Sequence, residues 1–139
     1  MKVAQLGTDS ILFTPTAAAT TARTASLDCA GANYATIRVL LGAEVNTNST
    51  NVILSLGETD DTNVAYTTFN AASNRTVDNT AATVATTHID LEGRKRYLKI
   101  TATPDTTTNG AVTVAMTATL LKNVISASAT MLGPDVAIV

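Results

Sequence analysis

The chain is 139 residues long and contains 27 threonines and 23 alanines, whereas charged residues make up only 14% of it. This length fits one domain with a single core. Nine basic residues and a formal net charge of −2 exclude the electropositive stripe that sequence-independent nucleic-acid binding requires. One histidine and one cysteine exclude a four-ligand structural zinc site and a disulfide framework.

No segment has the pattern of a secretion signal or a membrane span. The N-terminal segment before Asp9 contains no apolar run as long as that of a signal peptide. The longest charge-free stretch, residues 106–121, is rich in threonine and lacks the roughly 18 apolar residues that a spanning helix needs. We therefore expect a protein that is made and kept in a cytosol and has no membrane partner.

The abundance of threonine predicts an all-β chain, because β-branched side chains lose χ1 freedom in helices but pack well on a pleated surface. Residues 10–13 are predicted to form a brief strand that stops at Pro15, and residues 16–24 a loop or extended arm. Further strands are predicted at 34–42, 51–56, 64–69, 83–91, 97–103 and 112–120. Clusters of turn-forming residues separate them.

Alternation of apolar and polar residues assigns one face of each long strand to the core, because successive side chains point to opposite faces of a sheet. Most threonines then fall on the outward faces. The predicted core rows are Ala35, Ile37, Val39 and Leu41; Val52, Leu54 and Leu56; Ala85, Thr87, Ile89 and Leu91; Leu98, Ile100 and Ala102; and Val112, Val114, Met116, Ala118 and Leu120.

Seven or eight strands separated by turns are typical of an antiparallel β-sandwich with a jelly-roll-like arrangement, and a barrel is the alternative. The polar segments 46–50 and 74–82 are long enough to cross between two sheets. We predict an N-terminal strand and arm at residues 1–24, the sandwich domain at residues 25–123 and a C-terminal tail at residues 124–139. Both terminal segments are expected to extend from the sandwich as arms.

His88 is the only side chain that titrates near neutrality, and the alternation places it beside Asp90 on the outward face of its strand. The two side chains can form an orienting pair, but no serine or cysteine motif supplies a nucleophile for a triad. We therefore expect no enzymatic activity and no catalytic residue. His88 is expected at a solvated or interface position.

The acidic turn that follows the second long strand contains Glu58, Asp60 and Asp61. A hard cation such as calcium binds oxygen-rich loops of this kind. The same residue types are also what a plain β-turn requires, and the glycine and distal glutamate of an EF-hand are absent. The sequence leaves both interpretations open, and we assign no metal ligand.

Two further features suggest contact with a partner. The basic run at residues 94–96, which Lys99 follows in the sequence, lies at a predicted hairpin tip. It forms either a solvated turn or an electrostatic contact with an acidic surface. The chain also ends in an apolar segment, which calls for a partner surface. The predicted partner-binding residues are Arg94, Lys95, Arg96, Val136, Ile138 and Val139.

The outward faces are supplied largely by threonine, alanine, serine and asparagine, with few of the charged residues that keep exposed sheet edges apart. Burying such a surface avoids the desolvation cost of charged groups. The composition therefore favours a scaffold or interaction module that contacts copies of itself or another protein.

Three segments resemble a known family: residues 27–37 (LDCAGANYATI), 54–61 (LSLGETDD) and 89–99 (IDLEGRKRYLK). They contain an Asp and a Gly before a Tyr-Ala-Thr-Ile strand, an acidic turn, and a Gly-Arg-Lys-Arg-Tyr-Leu hairpin. In these features the chain, over roughly residues 25–122, is similar to the head decoration, or cement, proteins of tailed bacteriophages. Outside that range, the terminal segments match nothing in the family pattern.

The resemblance implies a β-sandwich that is made in the host bacterial cytoplasm and sits on the outer capsid surface of the virion. Its partners would be the major capsid protein and copies of itself, as a trimer rather than a dimer, and it would need no cofactor. Such a protein stabilises the shell by bridging capsid subunits. We expect one of the two terminal segments to reach a capsid subunit or a neighbouring copy by strand pairing.

Two other functions stay open at this point. The first is a tail or head-to-tail connector component of similar fold. The second is a carbohydrate-binding or adhesin-like sandwich, which needs an aromatic stacking platform. With no tryptophan and three tyrosines, the chain offers little for such a platform.

Overall fold

The computed structural model of the chain describes residues 7–18, 22–43, 51–69, 75–105, 112–122 and 136–138. These residues contain strands and turns but no helix, so the all-β prediction is confirmed, and no membrane-spanning helix is present among them. The ten strands are β1 (Gly7–Ala18), β2 (Arg23–Asp28), β3 (Tyr34–Leu41), β4 (Asn51–Thr59), β5 (Thr67–Thr68), β6 (Arg75–Asp78), β7 (Thr83–Asp90), β8 (Tyr97–Asp105), β9 (Val112–Leu121) and β10 (Val136–Ile138).

The strands form two sheets whose order is that of a jelly roll. The first sheet has the order β1-β9-β3-β7-β10 and the second the order β2-β8-β4-β5, with β6 also paired to β4. If β5 and β6 are counted as one interrupted strand, β1 to β9 make the eight strands of two four-stranded jelly-roll sheets. The predicted sandwich, its jelly-roll-like arrangement and its strand number are therefore confirmed, and β10 is an addition.

The core lies between the two sheets and is built from the predicted rows. Every predicted core residue is buried except Thr87 and Leu120, which are half-buried. Side chains of both sheets belong to one continuous apolar cluster. Complete burial of an aliphatic side chain is worth about 1.5–3 kcal/mol, so these rows are the main source of the free energy of folding.

The abundant threonines lie mainly on the surface, as the alternation predicts. Among the described side chains, only two threonines are buried, Thr36 and Thr59. Thr24 and Thr101, on the neighbouring strands β2 and β8, bring their hydroxyl oxygens within 3.3 Å of each other on the outward face of the second sheet. Threonine hydroxyls therefore supply much of the polar surface of the two sheets.

The prediction for the N-terminal region was wrong in part. Strand β1 does not stop at Pro15 but continues to Ala18, and β2 already begins at Arg23, so only residues 19–22 separate the two strands. The register of β1 against β9 shifts between Phe13 and Thr16. A proline cannot donate a ladder hydrogen bond, but an edge strand with an irregular register accommodates it. Residues 7–18 are therefore an edge of the sandwich.

Three smaller expectations also differ from the structure. The predicted strand at 64–69 is reduced to β5, although it pairs with its predecessor as expected. The segment predicted to cross at 74–82 contains β6, and residues 79–82 make the crossing to the first sheet. The other predicted crossing, residues 46–50, lies outside the described residues. Part of the C-terminal tail forms β10, which pairs with β7 in parallel.

The two faces of β3 provide a direct test of this architecture. Ile37→Ala removes a side chain that is 1% exposed, whereas Leu40→Ala changes one that is 41% exposed on the opposite face. We expect Ile37→Ala to lower the free energy of unfolding by about 2–5 kcal/mol and Leu40→Ala by less than about 1 kcal/mol. Urea unfolding measures both values. Equal losses would contradict the assignment of the inward face.

Candidate functional site

The structure brings the acidic turn and the basic turn together at one end of the sandwich. The acidic turn begins at Glu58 near the end of β4, and the basic turn connects β7 in the first sheet to β8 in the second. Because β4 and β8 are adjacent, with Thr59 opposite Tyr97, the two turns meet. We call the resulting group the charged end cluster; its members are Asp28, Glu58, Asp60, Arg94, Lys95 and Arg96.

Glu58 and Asp60 hold the basic turn through its backbone as well as through its side chains. A Glu58 carboxylate oxygen accepts the Lys95 backbone N–H at 3.3 Å, and Asp60 accepts that of Arg96 at 3.0 Å. The other Glu58 oxygen lies 3.8 Å from an Arg94 guanidinium nitrogen. Two turns that lie more than thirty positions apart in the sequence are thus fixed relative to each other.

Phe69 completes the environment of Arg94. Its ring is buried, and the Arg94 guanidinium carbon lies 3.9 Å from the ring centroid. A guanidinium over an aromatic face is attracted by the ring quadrupole. The turn itself is closed by a hydrogen bond from the Arg94 N–H to the Leu91 carbonyl, with Gly93 at a φ of 72°, a conformation that glycine adopts without steric cost.

Asp28 and Arg96 form a bidentate ion pair at the edge of the charged end cluster. The Arg96 Nε and Nη2 atoms donate to the two Asp28 oxygens at 2.9 and 2.7 Å, and the Ala30 backbone N–H donates to Asp28 at 3.0 Å. The hydrogen bonds from Arg96 and Ala30 lower the pKa of Asp28 to about 2. The same pairing raises the pKa of Arg96. Both side chains are well exposed, so solvent screens the pair and its contribution to stability is small.

This geometry is relevant to two predictions: contact of the basic run with a partner, and binding of a cation by the acidic turn. Two of the three basic residues predicted to bind a partner, Arg94 and Arg96, are paired with carboxylates of the same chain. In the acidic turn, the remaining acidic residue is Asp61. Its carboxylate accepts the backbone and side-chain N–H groups of Asn63 at 2.8 and 3.0 Å. In the described part of the chain, no three acidic, histidine or cysteine side chains are grouped to hold a metal ion.

His88 contacts residues of the neighbouring strand β3. Its Nδ1 atom lies 3.2 Å from the Thr36 hydroxyl oxygen, and its ring centroid lies 5.8 Å from that of Tyr34. Partial burial, together with the nearby charge of Arg38, lowers the pKa of His88. Asp90 accepts the backbone N–H of Glu92. The contacts with Thr36 and Tyr34 position the imidazole against β3.

Tyr34 is buried although it points to the outward side of the first sheet. The residue is 6% exposed, and its hydroxyl has no hydrogen-bond partner among the described residues. Burial raises the pKa of Tyr34, and the negative charge of Asp90 makes a smaller contribution in the same direction.

The outer face of the first sheet is nearly uncharged among the side chains that the structure describes. Leu40 and Val84 lie opposite each other on β3 and β7 and are 41% and 47% exposed. Arg38 and Asp90 are the two fully charged residues among its described members. These members are Tyr34, Thr36, Arg38 and Leu40 of β3; Val84, Thr86, His88 and Asp90 of β7; and Thr113, Ala115, Thr117, Thr119 and Leu121 of β9.

Two of the C-terminal residues predicted to bind a partner, Val136 and Ile138, lie in β10 at the edge of the same sheet. The backbone of Val136 pairs with Thr86 and that of Ile138 with His88. Val139 lies outside the described residues. The sequence did not predict that β7 would be the strand to receive this segment.

Sequence reasoning also missed the link between the two sheets at β6 and β7. The Arg75 Nη2 atom donates to the Thr86 carbonyl at 3.0 Å and so bridges from the second sheet to the first. Nearby, Asn79 is fully buried and its Nδ2 atom donates to the Gly42 carbonyl at 3.4 Å. No local pattern distinguishes such residues from those of a solvated loop, because their partners are distant in sequence.

Comparisons with known proteins leave the function open. No family model and no curated protein matches the chain. Among solved structures, the chain is similar to dimeric latent PorU from Porphyromonas gingivalis, with a TM-score of 0.42, 10% identity, and coverage of 84% of this chain but only 12% of that one. It is also similar to a Desmodium yellow mottle tymovirus chain, with a TM-score of 0.32, 9% identity, and coverage of 93% and 94%. Likenesses this weak say nothing about function.

The Asp28 carboxyl gives a titration test of the charged end cluster. Its pKa of about 2 lies below the ordinary 3.8, so the stabilisation from the ion pair is complete above about pH 4 and is lost as the pH falls through 2. We expect Arg96→Gln to raise the pKa of Asp28 toward 3.8, measured by carboxyl NMR. Asp78, whose pKa is lowered by Thr80, should titrate unchanged. An unmoved Asp28 midpoint would refute the pairing.

The hold of Asp60 on the basic turn is tested by amide hydrogen exchange. Asp60→Ala removes the acceptor of the Arg96 N–H, and we expect that amide to exchange about fivefold faster, the factor that one typical net hydrogen bond contributes. Asp60→Asn keeps an acceptor oxygen and should retain the protection. The Gly42 amide, bonded to the Thr113 carbonyl, is the internal control. Equal exchange at Arg96 in all three proteins would show that Asp60 does not hold the turn.

Proposed function

We propose that this protein is a structural component of a bacteriophage virion that binds the outside of the capsid and stabilises the shell by bridging subunits of the major capsid protein. In this role it acts through buried contact area rather than through chemistry, and it is not an enzyme. The proposal draws on the resemblance of residues 25–122 to head decoration proteins and on the character of the molecular surface.

The observation that carries the proposal is the outer face of the first sheet. A contact surface is depleted in charged residues at its centre, because charges are costly to desolvate. On this face the exposed Leu40 and Val84 lie among five threonines, with Arg38 and Asp90 as the charged residues. A nearly uncharged sheet face of this kind fits a protein partner.

The charged end cluster supports the same function in a secondary way. Arg94 and Arg96 are neutralised by carboxylates of their own chain, so this end of the sandwich presents a rigid turn with little net charge. The side chain of Arg96 is nevertheless 52% exposed. Contact of this turn with an acidic partner surface therefore stays a prediction, and it would affect register and association rate more than affinity.

The aromatic residues weigh against the carbohydrate-binding alternative. Among the described side chains, Phe69, Tyr66 and Tyr97 each have a cation over the ring, from Arg94, Lys99 and Arg96 respectively. The remaining aromatic residue whose side chain is described, Tyr34, is buried. A stacking platform requires an open aromatic face, and these rings provide a poor one.

The proposal is tested with particles of the encoding virus or prophage that lack this protein. We expect the purified chain to cosediment with such particles to a saturating ratio and to raise the temperature at which they release their genome. Leu40→Glu, which places a charge on the outer face of the first sheet, should weaken binding at least tenfold.

The matched control is Ile53→Glu, because Ile53 is 38% exposed on the second sheet and Leu40 is 41% exposed on the first. This variant should bind like the unaltered protein. Failure of the unaltered chain to bind the particles would refute the capsid function, and binding to tails or connectors alone would favour the connector alternative. Equal losses in the two variants would show that the first sheet is not the contact face.

A further inference from the structure

The edges of the two sheets differ in how well they are protected against further strand pairing. An open edge strand presents unpaired N–H and C=O groups that recruit another strand unless proline, charge, irregularity or shortness prevents it. Strand β1 contains Pro15 and has an irregular register. Strands β5 and β6 are two and four residues long. Strand β2 begins at Arg23 and ends at Asp28, so each of these edges has a protective feature.

The β7 edge has none of these features along most of its length. Its eight residues, TVATTHID, include no proline, and the one charged residue, Asp90, is at the end. Strand β10 covers this edge only from Thr86 to His88. In the described structure, the preceding residues of β7 have no strand beside them on that side, and Val84 there is 47% exposed.

Strand β10 is weakly anchored to the sandwich. It is three residues long, whereas β1 at the other edge of the same sheet spans twelve. It is also the one parallel pairing among the described strands, and parallel ladders are slightly less stable per residue than antiparallel ones. Of the two chain ends that the sequence predicted as arms, the N-terminal one therefore contributes a twelve-residue edge strand, whereas the C-terminal one contributes three paired residues.

The connection to β10 is longer than the intrachain pairing requires. Residues 122–135 join the end of β9 to β10, and an extended chain of that length reaches roughly 45 Å. Strands β9 and β10 are separated by β3 and β7, which is three strand spacings or about 14 Å sideways. Because β9 ends level with Asp90 and β10 begins level with Thr86, the connection must also return about 13 Å along the strands. The same connection can therefore carry β10 to the edge of a neighbouring molecule.

We propose that β10 is an exchangeable strand, which in the assembled protein leaves its own β7 and adds in the same parallel register to β7 of a second copy. The occupant is a second copy because the structure already shows that this sequence pairs with this edge. Exchange of an identical element between copies costs little, since the hydrogen bonds that break within one chain form again between two chains. The inference concerns self-association and holds whether or not the proposed capsid function is correct.

The test uses two single-cysteine additions at positions paired in the register, Thr86→Cys and Val136→Cys. The two variant chains are unfolded together, refolded at micromolar concentration and mildly oxidised. We expect a covalent dimer in which mass spectrometry of peptides locates the disulfide between position 86 of one chain and position 136 of the other. Cys29 should not take part, because it is buried and its burial raises the pKa of the thiol to about 11.

The matched control is Thr83→Cys, on the same strand but outside the paired register, which should not join to Val136→Cys. A protein that carries both Thr86→Cys and Val136→Cys should give covalent oligomers on a non-reducing gel. Its complete conversion to an internally cross-linked monomer, with no link between the mixed single variants, would overturn the proposal.

Light scattering of chains without added cysteines gives an independent test. The unaltered chain should be an oligomer, and removal of residues 136–139 should give a monomer with an unchanged β-type circular dichroism spectrum. An oligomer of undiminished mass after truncation, or an unaltered chain that is a monomer at micromolar concentration, would overturn the proposal. Loss of capsid binding with strand exchange intact would instead count against the proposed function alone.

Discussion

The layer of aliphatic side chains between the two sheets is the constraint on which the rest of the structure depends. Because strand side chains alternate, each residue that enters this layer places its neighbours on the outside. Ile37 and Val39 enter the core from β3, and Thr36, Arg38 and Leu40 therefore point away from it. The threonine-rich exterior is thus a direct consequence of how the core is filled.

The charged residues of the chain are few, and several of them are used to close one end of the sandwich. Glu58 and Asp60 bind the backbone of the turn that carries the jelly roll from its first sheet to its second. Asp28, at the end of β2, binds the exposed guanidinium of Arg96 in the same turn. These interactions hold the turn in place, and they leave the sheet faces to provide the larger surface for a partner.

The sequence predicted the class of fold and the inward rows well, because a period of two is a local signal with one physical cause. It did not predict pairings between distant segments. Pro15 was expected to stop a strand, although an edge strand with a shifted register tolerates it. The meeting of Glu58, Arg94 and Phe69 and the parallel docking of Val136–Ile138 on β7 depend on topology, which no local pattern encodes.

Our central proposal is that this jelly roll works as a structural part of a virion, through a nearly uncharged sheet face and an exchangeable strand. Cryo-electron microscopy of the intact particle tests it most directly. We expect a two-sheet density on the outer capsid surface, with the first sheet toward a capsid subunit and β7 bordered by a strand from a neighbouring copy. Density confined to the tail or connector, or no density for this chain in the particle, would contradict the proposal.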